Sequence, residues 1–234
     1  MKKVTQAIVM CGGKGTRILN LTKDLIPKSL IQFNGKPFLE ILIYKIYNLG
    51  IKRIIFCTGH LSNQIENFIN QFSQTKKLDI DLIISEESFP LGTAGALKLC
   101  SNHLKGDSSL VLNGDTYINY DLYKYVDWHF KNNYEISVML SFVFNSSKFG
   151  SVEIDNEKIK KFEEKKINFF KFVYNGIFLS KNEYLNKIEY KFSNVEDTFF
   201  QDNIKRMYGY KSFSKFYDIG SLSGYNRAKK NLIF

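Results

Sequence analysis

The sequence predicts an α/β fold, a Rossmann-like, mixed but mostly parallel sheet flanked by helices, with a β-rich part in its second half. Two observations support this prediction. Short β-branched runs alternate with amphipathic stretches of helical length in the first half of the chain. The first apolar run, "VTQAIVM", leads directly into the glycine-rich stretch "CGGKGTR", as a buried strand does when it enters a tight turn.

The first half of the chain alternates between strands and helices. Its β-branched runs predict strands at residues 4–11, 53–58, 80–85 and 109–113. Its amphipathic stretches predict helices at residues 37–49, 61–72, 93–100 and 121–131. Because parallel strands end at the same edge of a sheet, the polar motifs that follow these strands are expected to meet there.

The second half of the chain is richer in strands. We expect strands at residues 135–144, 150–154, 159–162, 172–179 and 216–219, and helices at residues 181–188, 196–206 and from residue 221 onward. The turn-rich centre of "EIDNEKI" predicts a hairpin between two of these strands. No repeat or linker interrupts the chain, so we expect one domain over residues 1–234, with halves at 1–120 and 121–234.

The composition narrows the class of protein. Hydrophobic residues make up 44% of the chain and aromatic residues 15%, which excludes a disordered chain, and no apolar run approaches the length of a membrane span. The basic, apolar start lacks a small-residue cleavage site and ends in glycines, which favours a strand over a secretory signal. Cys11, Cys57 and Cys100 lack a metal-ligand spacing, which favours buried thiols in a reducing cytoplasm.

The formal net charge of +10 has two interpretations. Lys and Arg are spread along the chain, whereas nucleic-acid binders usually cluster them among aromatic residues. The informative asymmetry is local, because residues 1–36 carry seven Lys or Arg and a single acid, Asp24. A small polyanionic ligand near this segment explains that bias as well as a nucleic acid does, so a nucleic-acid-binding protein stays an alternative.

The loop after the first strand is a candidate phosphate site. Its glycines allow a ligand to approach the backbone closely, and its free N–H groups can form an anion-binding concavity. The spacing matches neither a Walker A loop nor a dinucleotide fingerprint, so a tight β–α turn is the alternative. Arg17 and, in "PKSL", Lys28 add cations that can hold two phosphate groups from opposite sides. The candidate residues of the loop are Cys11, Gly12, Gly13, Gly15 and Thr16.

The stretch "PLGTAGAL" places two glycines at the start of a helix. One interpretation is helix capping, with Thr93 as the N-cap. The other is a flat backbone surface at Leu91, Gly92 and Thr93 against which a nucleobase lies. The preceding "SEE" would then supply an acceptor for donors on the base edge, and Glu86 is the candidate.

Two aspartates follow predicted strands. Asp115 lies in "LNGDT" and Asp218 in "FYDIGS". Carboxylates at such positions are suited to Mg²⁺, which prefers oxygen ligands and bridges phosphates. Loop capping is the alternative for each of them.

The segments "FEEKK" and "YNG" lie in the β-rich part. Carboxylate and amide groups there, among them Glu164 and Asn175, are suited to sugar hydroxyls, although a charge run is more often a solvated face. His60, His103 and His129 are scattered, and no Ser/His/Asp or Cys/His arrangement of a nucleophile is present in the sequence.

The motifs "CGGKGTRILNLTKDLIPKSL", "GKPFLE", "PLGTAGAL", "LNGDT", "FEEK" and "YDIGS" occur in the order seen in the sugar-1-phosphate nucleotidyltransferases, and the chain resembles that family over its whole length. The resemblance implies the nucleotide-diphospho-sugar transferase fold and a Mg²⁺-dependent reaction. A sugar 1-phosphate oxygen attacks the α-phosphorus of an NTP, which gives an NDP-sugar and pyrophosphate. Within the family, "CGG", "GKPFLE" and "PLGTAGA" look most like guanylyltransferases that act on D-glycero-D-manno-heptose 1-phosphate.

The resemblance also implies roles for individual residues. The N–H groups of the glycine loop hold the NTP phosphates, Arg17 balances the β- and γ-phosphates, and Lys28 the α-phosphate and the sugar phosphate. Asp115 and Asp218 hold the metal, with residues 1–120 as the nucleotide-binding half and 121–234 as the sugar-phosphate-binding half. The residues implied at the sugar phosphate are Asn113, Gly114, Glu164, Lys165, Asn175 and Gly176.

Further expectations follow from the resemblance. The partners are an NTP, with GTP preferred, and a sugar 1-phosphate, without nucleic acid or membrane, and a homodimer is the candidate assembly. The product would feed capsule or lipopolysaccharide synthesis from the cytoplasm. Uridylyl, cytidylyl or mannose-1-phosphate guanylyl transfer on the same fold stays open, as does a catalytically silent nucleotide sensor. Lys166 stands where the family often has Pro, and Ile18 where it often has Leu.

Overall fold

A nine-stranded sheet forms the centre of the protein in the computed structural model, which describes residues 4–146, 149–163 and 169–232. Two further two-stranded sheets lie beside it in this part of the chain. The strands in chain order are β1 (Gln6–Met10), β2 (Gln32–Phe33), β3 (Lys36–Pro37), β4 (Arg53–Thr58), β5 (Asp81–Glu86), β6 (Ser108–Asn113), β7 (Thr116–Ile118), β8 (Ile136–Asn145), β9 (Val152–Asp155), β10 (Lys158–Phe162), β11 (Phe169–Lys181), β12 (Met207–Ser212) and β13 (Phe216–Asp218).

Helices connect most of these strands. They are α1 (Leu19–Thr22), α2 (Phe38–Tyr47), α3 (Ser62–Lys76), α4 (Gly92–Cys100), α5 (Leu122–Lys131), α6 (Asn182–Asn186), α7 (Phe200–Asn203) and α8 (Leu222–Asn231). Short 3-10 turns lie at Thr16–Ile18, Lys28–Leu30, Ser101–His103 and Ile204–Arg206, and one π-helical turn at Val195–Phe199. Among the helices of the described ranges, none is long and apolar enough to cross a bilayer.

The large sheet has the order β5-β4-β1-β6-β11-β8-β12-β10-β9. Strands β5, β4, β1 and β6 are parallel to one another, β11 is antiparallel to both β6 and β8, and β12 is parallel to β8. The β9–β10 hairpin then continues the same sheet past β12. The carboxyl ends of β1, β4, β5, β6, β8 and β12 therefore lie along one edge, where open α/β sheets bind their ligands.

Both faces of the sheet are covered by helices, because alternate residues of each strand point to opposite sides. On β1, Ala7 and Val9 pack with the helices α2, α3, α5 and α8, whereas Ile8 packs with α4, α6 and α7. The near-continuous apolar run "QAIVM" predicts a strand whose two faces are both buried, as observed. The predicted α/β class is confirmed.

The sequence missed one strand of the sheet and mistook one helix. Strand β12 went unpredicted because Gly209 and Lys211 dilute its pattern, yet Met207 and Gly209 are buried beside β8. The helix expected at residues 196–206 is instead a π-helical turn, a single turn of α-helix and a 3-10 turn. The irregular turns allow the consecutive rings of Phe199 and Phe200 both to enter the core, where each contacts Phe178. The hairpin in "EIDNEKI" is confirmed as β9–β10.

Candidate active site

The glycine-rich loop leaves β1 at the carboxyl edge of the sheet. Gly15 has a φ of +65° and begins the turn at Thr16–Ile18, a backbone conformation that favours glycine. No hydrogen bond within residues 4–146, 149–163 and 169–232 uses the backbone N–H groups of Gly13, Lys14 or Gly15. These donors are therefore available to an anion, which is the arrangement predicted for a phosphate cradle.

Lys28 lies against this loop and forms a salt bridge with Asp115. A Cβ at Gly13 would lie 3.4 Å from Lys28 Nζ, so the ammonium is close to the loop backbone. Burial lowers the pKa of Lys28, but the Asp115 carboxylate outweighs burial and raises that pKa above its usual range. For Asp115 the effects are reversed. Burial raises its pKa, but the positive charges of Lys28 and Arg17 outweigh burial and lower that pKa below its usual range. Both groups are therefore charged at neutral pH.

A second ion pair stands beside the first. Arg17 Nη1 lies 3.0 Å from Asp218 Oδ2, and the Arg17 side chain is 59% exposed, so a ligand can reach it. Asp218 is the last residue of β13, whose partner β7 follows Asp115 directly. Burial and the neighbouring Asp115 carboxylate raise the pKa of Asp218, against the effect of Arg17.

The two carboxylates approach a common point. A Cβ at Gly220 would lie 2.6 Å from Asp115 Oδ2 and 3.0 Å from Asp218 Oδ1, so no side chain fits there. Two carboxylates completed by substrate phosphates form a typical protein site for Mg²⁺. The residues present therefore fit the metal that the sequence implies. No group of three or more His, Cys, Asp or Glu with metal-binding geometry exists in the described ranges.

Of the two adjacent acids Glu86 and Glu87, it is Glu87 that lies against the glycine loop. Glu86 ends β5 and is exposed. Glu87 Oε2 accepts a hydrogen bond of 3.0 Å from the Leu91 N–H, and a Cβ at Gly12 would lie 3.2 Å from Glu87 Oε1. Partial burial raises the pKa of Glu87. Sequence reasoning missed this residue because neighbouring strand residues point to opposite faces, and the pattern does not show which of two adjacent acids faces the cleft.

The "PLGTAGAL" segment has a structural role that the sequence did not show. The helix α4 begins at Gly92 with Leu91 as N-cap, so the prediction that Thr93 is the N-cap is wrong. Thr93 Oγ1 instead accepts a hydrogen bond of 2.8 Å from the Val195 N–H. A Cβ at Gly92 would lie 2.4 Å from the Ser193 oxygen, so the glycine permits this neighbouring segment to pack closely. Base contact at residues 91–93 stays a prediction.

Strands β6 and β11 bring together three residues that the resemblance implies at the sugar phosphate, Asn113, Asn175 and Gly176. A Cβ at Gly176, whose φ is +86°, would lie 2.6 Å from Asn113 Nδ2, so the two predicted residues are in contact. Asn175 is buried, its Nδ2 donates to Ser141 Oγ at 3.0 Å, and its Oδ1 has no partner within the described ranges. The pairing of β11 with β8 is irregular between Tyr174 and Phe178, which places Asn175 in a bulge.

The remaining predicted residues differ in how far the structure supports a contact with a ligand. The Cys11 side chain is buried behind the loop, and burial raises the pKa of its thiol to about 12, so only its backbone can serve a ligand. Residue 114 must be a glycine for packing reasons, because a Cβ there would lie 2.8 Å from Cys11 Sγ. Thr16 is exposed at the start of its turn. Glu164 and Lys165 lie outside the described residues. All three cysteines are free and buried, as predicted.

Comparison with known proteins agrees with the fold and the motifs. Residues 6–233 match the family model described as nucleotidyl transferase, and the chain belongs to that family. It is 34% identical over 206 residues to the D-glycero-alpha-D-manno-heptose 1-phosphate guanylyltransferase of Campylobacter jejuni, covering 86% of this chain and 87% of that protein. It is 31% identical over 201 residues to the probable mannose-1-phosphate guanylyltransferase 1 of Oryza sativa, where it covers 83% of this chain but 55% of the rice protein.

Solved structures show the same fold. HddC of Yersinia pseudotuberculosis superposes with a TM-score of 0.84 at 24% identity, covering 97% of this chain and 99% of that one. A second structure of that protein, in complex with GMP-PN, superposes equally well. The nucleotide-diphospho-sugar transferase fold is therefore confirmed. The chain spans about half the length of the mannose-1-phosphate guanylyltransferases and most of the length of the bacterial heptose enzymes that it matches.

Proposed function

We propose that the protein transfers a guanylyl group from GTP to D-glycero-D-manno-heptose 1-phosphate, giving a GDP-sugar and pyrophosphate. The observation that carries this proposal is the convergence of Lys28–Asp115 and Arg17–Asp218 beside the free N–H groups of the glycine loop. Two cations, two carboxylates and a row of backbone donors at the carboxyl edge suit a triphosphate that reacts with a second phosphate. Membership of the nucleotidyl transferase family supports the reaction class.

The reaction needs positioning and charge stabilisation more than proton transfer. The sugar phosphate oxygen attacks the α-phosphorus, and the bond to the β-phosphate oxygen breaks. Lys28 neutralises the α-phosphate and the incoming sugar phosphate, while the exposed Arg17 turns to the β- and γ-phosphates as pyrophosphate leaves. The attacking phosphate is already ionised near neutral pH, so no general base is required.

Asp115 and Asp218 would hold Mg²⁺. When bound, the ion supplies Lewis-acid polarisation of the phosphoryl oxygens. Asp115 is deprotonated through its pairing with Lys28, and Asp218 is kept near Arg17 by their ion pair. Because residue 220 is a glycine, both carboxylates can approach the same point, from which they would hold the ion beside the phosphates.

Guanine would be selected by Glu87. Its Oε2 is fixed by the Leu91 N–H, and its Oε1 points toward Gly12 and Gly59, at the base of the glycine loop. Guanine presents two adjacent donors, N1–H and the 2-amino group, which one carboxylate can accept together. A buried acceptor that loses its donor costs about 1–3 kcal/mol, so GTP should be preferred over UTP, dTTP, CTP and ATP.

The heptose would bind at the carboxyl end of β6, beside the bulge of β11. Asn175 offers a buried Oδ1 without a partner in the described ranges, and a sugar hydroxyl donating to it would remove that deficit. Asn113 and Gly176 form the adjoining wall. Mannose 1-phosphate is the second candidate substrate, supported by the 31% identity with the rice protein. We also propose that the protein works in the cytoplasm as a homodimer. Its product would supply capsule or lipopolysaccharide synthesis.

The test is pyrophosphate release from GTP, ATP, UTP, CTP and dTTP, each with heptose, mannose and glucose 1-phosphates, with and without Mg²⁺. We expect the highest kcat/KM for GTP with the heptose phosphate, and activity that depends on the divalent cation. If UTP or CTP were the best donor, guanylyl transfer would be wrong while nucleotidyl transfer stood. If mannose 1-phosphate were the better acceptor, only the sugar assignment would change.

A further inference from the structure

Six phenylalanine rings form one exposed cluster at the carboxyl ends of β8 and β12, where β11 begins, on the same edge of the sheet as the candidate active site. The rings of Phe142, Phe144, Phe169, Phe170, Phe172 and Phe213, here called the aromatic patch, are connected by centroid distances of 4.9–6.3 Å. Phe213 is 75% exposed, Phe144 64% and Phe170 63%. A protein rarely leaves that many large apolar side chains in water in one place unless they contact a partner.

Positive charge adjoins the patch. Lys211 on β12 and Lys215 between β12 and β13 are exposed at this end, whereas Lys171 pairs with Val143 and lies on the opposite face of the sheet. No Asp or Glu occurs between residues 136 and 146, 169 and 181, or 207 and 217. Lys211 Nζ lies 5.8 Å from the centre of the Phe172 ring, so the charge directly adjoins the apolar surface.

This charge pattern argues against a second copy of the chain as the occupant. In a two-fold contact the same surface meets itself, so exposed lysines would face lysines without an acid to pair them. The whole chain carries a net charge of +10, which adds to that repulsion. An anionic occupant instead gains from both the lysines and the net charge.

The ring geometry argues against a single-stranded nucleic acid. Bases stack on flat ring faces that are free. Here four of the six ring pairs meet edge to face, with interplanar angles of 62–81°, and two are tilted, Phe142–Phe213 at 44° and Phe142–Phe170 at 30°. Such a cluster presents ring edges in an apolar projection, which suits insertion among acyl chains below a layer of anionic headgroups.

We propose that the aromatic patch and its lysines bind the protein peripherally to an anionic lipid surface. The phenylalanines enter the headgroup–acyl boundary and the lysines contact the lipid phosphates. This differs from the expectation of no membrane partner, because a surface can bind a membrane without an apolar run long enough to span it. The patch gathers rings from distant positions, so a scan along the chain does not show it. The proposal is independent of the catalytic one.

The experiment is co-sedimentation of the full-length protein with vesicles of phosphatidylcholine and phosphatidylglycerol, against vesicles of phosphatidylcholine alone. We expect binding to the anionic vesicles only, weakened by salt. The double variant Phe144→Ser/Phe213→Ser should lower the partition coefficient by about tenfold or more, because it removes two rings whose apolar surface the lipid would bury. Phe192→Ser, an equally exposed ring outside the patch, is the matched control and should bind as the unmodified protein does.

Charge is tested in the same way. Lys211→Gln/Lys215→Gln should reduce binding and its salt dependence, whereas Lys229→Gln/Lys230→Gln on α8 removes the same charge elsewhere and should have a smaller effect. Thermal unfolding and pyrophosphate release check that each variant is folded. The proposal is overturned if the unmodified protein ignores anionic vesicles at low salt, or if Phe144→Ser/Phe213→Ser binds normally. Two further results overturn it. In the first, sedimentation velocity shows a dimer for the unmodified protein and a monomer for Phe144→Ser/Phe213→Ser. In the second, the unmodified protein binds single-stranded RNA but not the vesicles, and the variant loses the RNA binding.

Discussion

The two halves of the large sheet hold their candidate residues in different ways. At the ends of β1, β5 and β6, Lys28 and Asp115 are held by each other, and Glu87 by the Leu91 N–H. At the bulge of β11, Asn175 keeps an oxygen without a partner in the described ranges. The side chains that handle phosphate and base therefore have protein partners before any ligand arrives, whereas the loop N–H groups and the side chain expected to contact the sugar are completed by their ligands. The difference suggests that the first half fixes the chemistry and the second half the acceptor.

Asp115→Asn should have the largest effect, because it removes a charge from the preorganised half and leaves Lys28 without its partner. We expect kcat to fall by about 10³ or more, since a single charge-stabilising group typically contributes 10²–10³. Pyrophosphate release at saturating substrates measures it. Asp79→Asn, at an exposed ion pair with Lys52, is the control and should be neutral. Near-normal turnover in Asp115→Asn would place the metal and the chemistry elsewhere.

The second half should also make the fold sensitive to acid. His129 is buried with Nδ1 2.7 Å from Ser137 Oγ, and burial, with the charge of Lys181, lowers its pKa to about 4. The unfolded chain, with a histidine pKa near 6.5, binds the proton first, so stability is complete above that pH and falls as the pH drops toward 4. The loss attributable to His129 is about 3 kcal/mol below both values.

Urea unfolding across this pH range measures the effect. His129→Gln keeps a polar group beside Ser137 but does not titrate, so its stability should depend less on pH. His103→Gln, at an exposed histidine, should keep the dependence of the unmodified protein. An identical pH profile for His129→Gln would show that other groups cause the acid sensitivity.

Asn175→Ala tests the acceptor side of the comparison. We expect KM for the sugar 1-phosphate to rise about tenfold to a hundredfold, from the loss of a buried hydrogen bond, while KM for GTP is unchanged. Steady-state kinetics with each substrate varied in turn gives both values. Asn231→Ala on α8 is the control. A parallel rise in both KM values would mean that the bulge supports the whole cleft rather than the sugar.

The smallest expected effect separates two adjacent acids. Glu87→Gln should lower the ratio of kcat/KM for GTP over UTP by about tenfold, because an amide cannot accept both donors of guanine. Glu86→Gln changes the exposed neighbour and should leave the ratio intact. The opposite result would return base selection to Glu86, the residue expected from the sequence.

The sequence was sufficient where the signal is local. Strand β1, the glycine loop and the aspartates Asp115 and Asp218 were predicted, because each depends on an apolar run followed by a few characteristic residues. The halves at 1–120 and 121–234 stay a prediction, and the single continuous sheet that crosses both was not foreseen as such.

Long-range pairing was beyond the sequence. Arg17 and Asp218 are separated by 201 positions, so nothing near either residue indicates the other. Their roles at phosphate and metal were predicted separately, and the structure adds that each cation is paired with a carboxylate. The position of Asn175 in a bulge was equally hidden, because one extra residue changes which face a side chain occupies.

The pairing of Lys28 with Asp115 has a consequence for how substrates enter. Each of these charges is the other's counterion while the cleft holds no ligand, and both side chains are largely buried. An anion that binds Lys28 leaves the Asp115 carboxylate without its counterion, and a cation that binds Asp115 leaves the Lys28 ammonium without its own. Each ligand therefore lowers the cost of admitting the other, and by linkage the benefit is equal in both directions. The triphosphate and the divalent cation should therefore bind cooperatively, because together they replace the ion pair between Lys28 and Asp115.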